Sequence, residues 1–184
     1  MEAQIHIGKT DGIQLSLVIL LLFALCSSAC QTAPTSNRVP NLEELQTFCD
    51  EQDISCITDK LLDDSSVLLY EKGDLFGYYT LTIQEPKGKM VILNQSSRTR
   101  SDQPILILDK LSEEQPILAV LIQDTKLLAE TTAIEVVLGS NNFLTITIQD
   151  QKGAVLVSPS PVDRWSAINL YNTRGEILYS LESQ

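Results

Sequence analysis

The sequence predicts a mainly β protein, an antiparallel β sandwich or barrel over residues 65–184, preceded by one or two short acidic helices. Three observations carry this. From Ser65 onward apolar residues recur at every second position instead of at helical spacing. Turn sequences, most of them containing glycine, separate these short alternating runs at near-regular intervals. A nine-residue stretch, Thr80–Gly88, returns at an offset of 65 as Thr145–Gly153 with six identities.

At the start of the chain, Ile13 to Ala29 is largely apolar, and the uninterrupted part is Leu17–Cys26. A membrane span needs roughly 20 apolar residues, whereas a signal-peptide core needs about 7–15. Ser27, Ser28 and Ala29 follow, and then Cys30. Small residues in front of a cysteine resemble the lipobox of bacterial lipoproteins. In that family the cysteine is acylated and becomes the first residue of the mature chain. The resemblance covers residues 1–30. It implies a signal peptide over 1–29, a lipid such as palmitate on Cys30, and a membrane partner reached through that lipid. It also implies a place in the bacterial cell envelope on the extracytoplasmic side. An uncleaved signal anchor, ordinary secretion with cleavage nearby and a soluble cytoplasmic chain are the other readings. Residues 30–40 then read as a flexible linker, since Gln31–Pro40 is small, polar and proline-containing.

Residues 41–64 form an acidic helical segment with eight carboxylates against one lysine, Lys60. Asn41 with Glu44 three residues on has the spacing of a capping box. Leu42, Leu45 and Phe48–Cys49 fall on one stripe, and Ile54, Ile57, Leu61 and Leu62 suggest a second short helix. The carboxylates read as a solvated face, because a calcium loop needs a glycine and none lies between Gly12 and Gly73. Cys49 and Cys56 would lie about 10 Å apart in one straight helix, too far for a bond. A break around Gln52–Ser55 would allow a Cys49–Cys56 disulfide, as an oxidising compartment favours. Two unpaired core cysteines are the alternative.

The expected strands after Ser65 are Ser66–Glu71, Phe76–Gln84, Lys89–Asn94, Ile105–Asp109, Ile117–Asp124, Leu127–Thr131, Glu135–Leu138, Phe143–Gln149, Ala154–Ser158, Ser166–Tyr171 and Glu176–Leu181. Helix is the competing reading for Thr125–Val137. The repeat has two explanations. One is an internal duplication that makes the two stretches equivalent hairpins. The other is that strand, polar turn, glycine and strand is what hairpins share, because glycine supplies positive φ.

A net charge of −11 argues against a broad basic face for nucleic acid. The single histidine is His6, so a chain processed at Cys30 contains none. That excludes a Ser-His-Asp triad, a Cys-His pair and a His-ligated metal, and no catalytic, metal or cofactor site is assigned. Neither Gly-x-Gly-x-x-Gly nor a P-loop occurs. Two loops carry the remaining candidates for partner binding: Arg98 and Arg100 in Asn94–Gln103, and Arg164 with Trp165 after Ser158. Arginine and tryptophan are enriched at interfaces. A core tryptophan and solvated arginines are the plainer alternative. The expected function is a non-enzymatic, membrane-tethered lipoprotein whose β domain binds an envelope protein or surface ligand, or scaffolds an assembly. An exported carboxylate-dependent hydrolase is the alternative.

Overall fold

The structure is a computed structural model and describes residues 35–111, 116–139, 142–148 and 151–183. Every described helix and strand belongs to one compact unit, residues 36–184. The signal peptide over 1–29 and the lipid site Cys30 lie outside the described residues. Among the described residues no helix is long and apolar enough to cross a membrane.

The fold is mainly β, in antiparallel sheets, one of which curls into a half-barrel. It begins with strand β1 (Ser36–Arg38) and helix α1 (Leu42–Gln52). Strands β2 (Ser55–Leu61), β3 (Ser66–Lys72), β4 (Leu75–Glu85) and β5 (Lys89–Thr99) follow. Then come β6 (Ile105–Lys110), β7 (Ile117–Ile122), helix α2 (Thr125–Glu130), β8 (Ala133–Leu138) and β9 (Asn142–Thr147). The chain closes with β10 (Gly153–Val157), β11 (Trp165–Tyr171) and β12 (Ile177–Glu182).

Three sheets stack. The first joins β1 through β5, with β4 at its centre; the middle sheet runs β10-β7-β6 and the third β12-β11-β8-β9. All six residues of β7 are buried. Ile117, Ala119 and Leu121 pack with Val67, Leu69, Phe76 and Tyr78 of the first sheet. Leu118, Val120 and Ile122 pack with Ile134, Val136, Ile168 and Leu170 of the third. A strand covered on both faces needs apolar residues at every position, which is why Ile117–Ile122 lacks polar alternation. Helix α1 covers the outer face of the first sheet, placing Leu45, Phe48 and Cys49 against Leu68 and Leu81. Phe48 meets the Tyr79 ring edge-on at 5.3 Å, and Tyr79 stacks on Tyr70 at 4.7 Å.

The α1 capping box forms as its spacing predicts. Glu44 N donates to Asn41 Oδ1 at 2.9 Å, and Asn41 N donates to the Glu44 carboxylate at 2.8 Å. The helix stops at Asp53, which adopts the left-handed conformation at φ 53°. That break brings Cys49 and Cys56 into a disulfide with Cα atoms 6.3 Å apart.

Several expectations are corrected. The second helical stripe is instead strand β2, paired antiparallel with β3 from Ser55↔Glu71 to Leu61↔Ser66. Ile54, Ile57 and Leu61 suit a helix face, but the open edge of β3 supplies a ladder that spacing along one segment does not register. Leu127–Thr131 is not a strand: α2 takes it as far as Glu130 and Thr131 is the C-cap, while Asp124 caps the start, its carboxylate accepting from Lys126 N and Leu127 N. Part of the linker is ordered, since β1 pairs with β4 through Ser36↔Glu85 to Arg38↔Ile83. Arg38 secures it by bonding Glu85 at 2.9 Å and Glu44 at 2.7 Å.

The equivalent-hairpin reading of the repeat does not hold. β4 and β5 form a hairpin in one sheet, whereas β9 pairs β8 in the third sheet and β10 pairs β7 in the middle one. The shared glycine serves two purposes. Gly88 supplies a turn φ of +59°. Gly153 lies in a strand, where a Cβ would come within 2.4 Å of the Val120 carbonyl oxygen and 2.9 Å of Leu69 Cδ2.

Candidate functional site

β6 is an end strand of the middle sheet. Gln123 N donates to Pro104 O at 2.8 Å, and Ile122 N donates away from β6, to Lys152 O, at 2.7 Å. In an antiparallel ladder these alternate. With the register Ile105↔Ile122 and Ile107↔Val120, the backbone groups of Ile105, Ile107 and Asp109 therefore point outward from the sheet. The strand's side chains alternate too. Leu106 and Leu108 face the first sheet, while Ile105 and Ile107 face the third.

A cleft of about 480 Å³ runs along this outward edge. β5 supplies one wall through Arg98, whose Nη1 donates to the Ile107 carbonyl at 3.1 Å. The third sheet supplies the other through Trp165, Leu181 and Glu182. Trp165 packs its ring on the core and donates its Nε1–H to Asp109 Oδ2 at 2.8 Å. Gln123 Nε2 holds the connection from β5 to β6 by donating to Ser101 O and Gln103 O at 2.8 and 2.7 Å. The cleft thus has a guanidinium on one side, carboxylates at Asp109 and Glu182, and an apolar floor at Ile105 and Ile107.

The sequence candidates divide two and two. Arg98 and Trp165, 67 positions apart in the chain, line the same cleft. Arg98 is not on a loop, because β5 continues through Thr99. Its second half, Asn94–Thr99, carries no apolar residue, so alternation gave no sign of a strand there. Arg100 turns to the first sheet, where it pairs with Glu71 beside Lys152. Arg164 is exposed and does not line the cleft. Asp109, Leu181 and Glu182 were missed. Asp109 read only as the polar end of the expected strand Ile105–Asp109, and nothing local ties it to a tryptophan 56 residues on.

No family model, curated protein or solved structure matches the chain. The site must therefore be weighed on its own geometry.

Two other polar groupings are built into the surface. Across the outer face of the third sheet, Glu135 Oε1 accepts from Asn169 Nδ2 at 3.0 Å and from the Tyr171 hydroxyl at 2.9 Å. The Glu135 bond, with some burial, pushes the Tyr171 phenol up. At the start of α1, the Arg38 hydrogen bond, followed by the Asn41 N–H, holds the Glu44 carboxyl down at about 2. Both are closed hydrogen-bond sets that fasten strands or a helix. Among the described residues no three His, Cys, Asp or Glu side chains gather to hold a metal ion.

Proposed function

We propose that the chain is a membrane-tethered exported lipoprotein, lipidated at Cys30, whose β domain is a non-enzymatic binding module in the bacterial envelope. The observation that supports the binding module is the cleft beside β6; the tether rests on the sequence of residues 1–30 alone. Backbone groups of β6 that point away from β7, one of them the Ile107 carbonyl held by Arg98, converge there with a tryptophan and a charged rim in a volume typical of ligand sites. Labelled palmitate incorporation that persists in Cys30→Ser would refute the tether. A photo-crosslinking residue at Ser101, on the cleft, should give an envelope adduct that the same residue at Thr173, on the β11–β12 turn, does not. Equal adducts at both positions, or none, would refute the cleft as the binding site. The second reading, a carboxylate-dependent hydrolase, draws on Asp109 and Glu182, which line the same cleft. It would be favoured if Asp109→Asn or Glu182→Gln abolished a hydrolytic activity while leaving the Ser101 adduct intact.

A further inference from the structure

We propose that the cleft takes an extended peptide, which adds as a strand to the outer edge of β6 and gives an acidic side chain to Arg98. This deepens the binding-module reading and rests on it.

Backbone chemistry comes first. An edge strand exposes unpaired N–H and C=O groups, and proteins guard or cover them. Here the outward groups of Ile105, Ile107 and Asp109 lie along the cleft floor, and Arg98 caps the Ile107 carbonyl. From Ile105 to Asp109 they span about 13–14 Å at strand rise. That suits five residues of an antiparallel or parallel partner, the geometry of peptide recognition by strand addition.

Charge then selects the peptide. An added strand would alternate as β6 does, one set of side chains toward the first sheet and the other toward the third. The first-sheet side meets Arg98. A guanidinium has five N–H donors, and the Ile107 carbonyl engages one nitrogen, so a carboxylate can take the fork. The third-sheet side meets Leu181 and Trp165, whose Nε1–H already engages the Asp109 carboxylate, and ends at Glu182, which suits apolar residues closed by a cation. The complementary segment therefore alternates acidic with apolar residues. A second folded copy fits less well, because the edge of β6 lies between walls from β5 and from the third sheet. A single extended segment can enter that space, whereas a strand already flanked by its own sheet cannot.

The test uses the full chain in detergent and three fluorescein-labelled octapeptides. One alternates glutamate and valine, one alternates lysine and valine, and one is the glutamate peptide N-methylated at alternate residues on its β6-facing edge. Anisotropy should show the glutamate peptide binding at least tenfold more tightly than either control. Arg98→Gln should remove most of that margin, and bound peptide should slow amide exchange at Ile107 and Asp109. Equal binding of the N-methylated peptide, or unchanged exchange at those amides, would overturn strand addition. Glutamate preference that survives Arg98→Gln would overturn the role given to Arg98. Failure of every peptide alongside a positive Ser101 adduct would overturn this proposal and leave the binding module standing. Failure of both would remove the binding module as well.

Discussion

At residue scale, the same amino acid holds this fold together for different reasons at different places, and the differences are measurable. Gly153 gives clearance between β10 and its neighbours, and the atom a methyl would strike is a backbone oxygen that cannot swing aside. Gly153→Ala should therefore destabilise by about 1–3 kcal/mol in urea unfolding, the usual range for overpacking. Gly77 also makes room, because Tyr70 lies over it and a Cβ there would fall 2.6 Å from the Tyr70 ring. An aromatic ring covering a strand glycine restores the packing that the missing side chain gives up. Burial, then the Tyr79 hydroxyl, push the Tyr70 phenol up to about 12. Glu44 gives a prediction in pH. Its carboxyl is ordinarily near 4.5 and is lowered to about 2 in the folded chain, so its contribution is complete above the ordinary value. It is lost as pH falls through about 2, because the protonated form binds Arg38 and the Asn41 N–H less well. Melting temperature followed from pH 6 to pH 2 should fall more steeply in the wild type than in Glu44→Gln. Parallel curves would show that the pair contributes nothing to stability.

At the scale of elements, the disulfide and the cap define what α1 needs in order to stay. The Cys49–Cys56 bond closes a short loop, for which chain entropy gives about 2–3 kcal/mol. The double change Cys49→Ala, Cys56→Ala should speed amide exchange over α1 and β2 while β7 stays protected. Loss of protection in β7 would mean that α1 supports the whole molecule. Legibility followed a similar division. The capping box, the apolar runs of β3 and β6, the alternation of β8 and the glycine turns could be read in the sequence, because each is a local pattern. β1 has three polar residues and exists only because β4 extends past Leu81, where β3 ends. β2 was hidden because its apolar residues suit two periods and its partner decides between them. Of the site, Arg98 and Trp165 were marked by residue type. Their meeting across β6 depends on how three sheets stack, which no local pattern encodes.

At the scale of the whole molecule, the middle sheet makes the three layers dependent on one another. Leu118→Ala removes packing between the middle and third sheets and should cost about 2–5 kcal/mol. Because β7 faces both neighbours, the loss should appear as one transition. Trp165 fluorescence, which reports the third sheet, and far-ultraviolet circular dichroism should shift together; separated midpoints would show that the layers unfold independently. Burial of β7 on both faces also has a consequence in time. β6 and β7 leave the ribosome as the most continuously apolar part of the domain, yet β10, their remaining partner in the sheet, begins at Gly153 and β11 at Trp165. At about 5–20 residues per second, synthesis leaves that hairpin without its partners for seconds. During that interval the segment that later lies deepest is the one most open to aggregation, and the nascent chain's greatest need of a holding chaperone should fall between the emergence of β7 and that of β11.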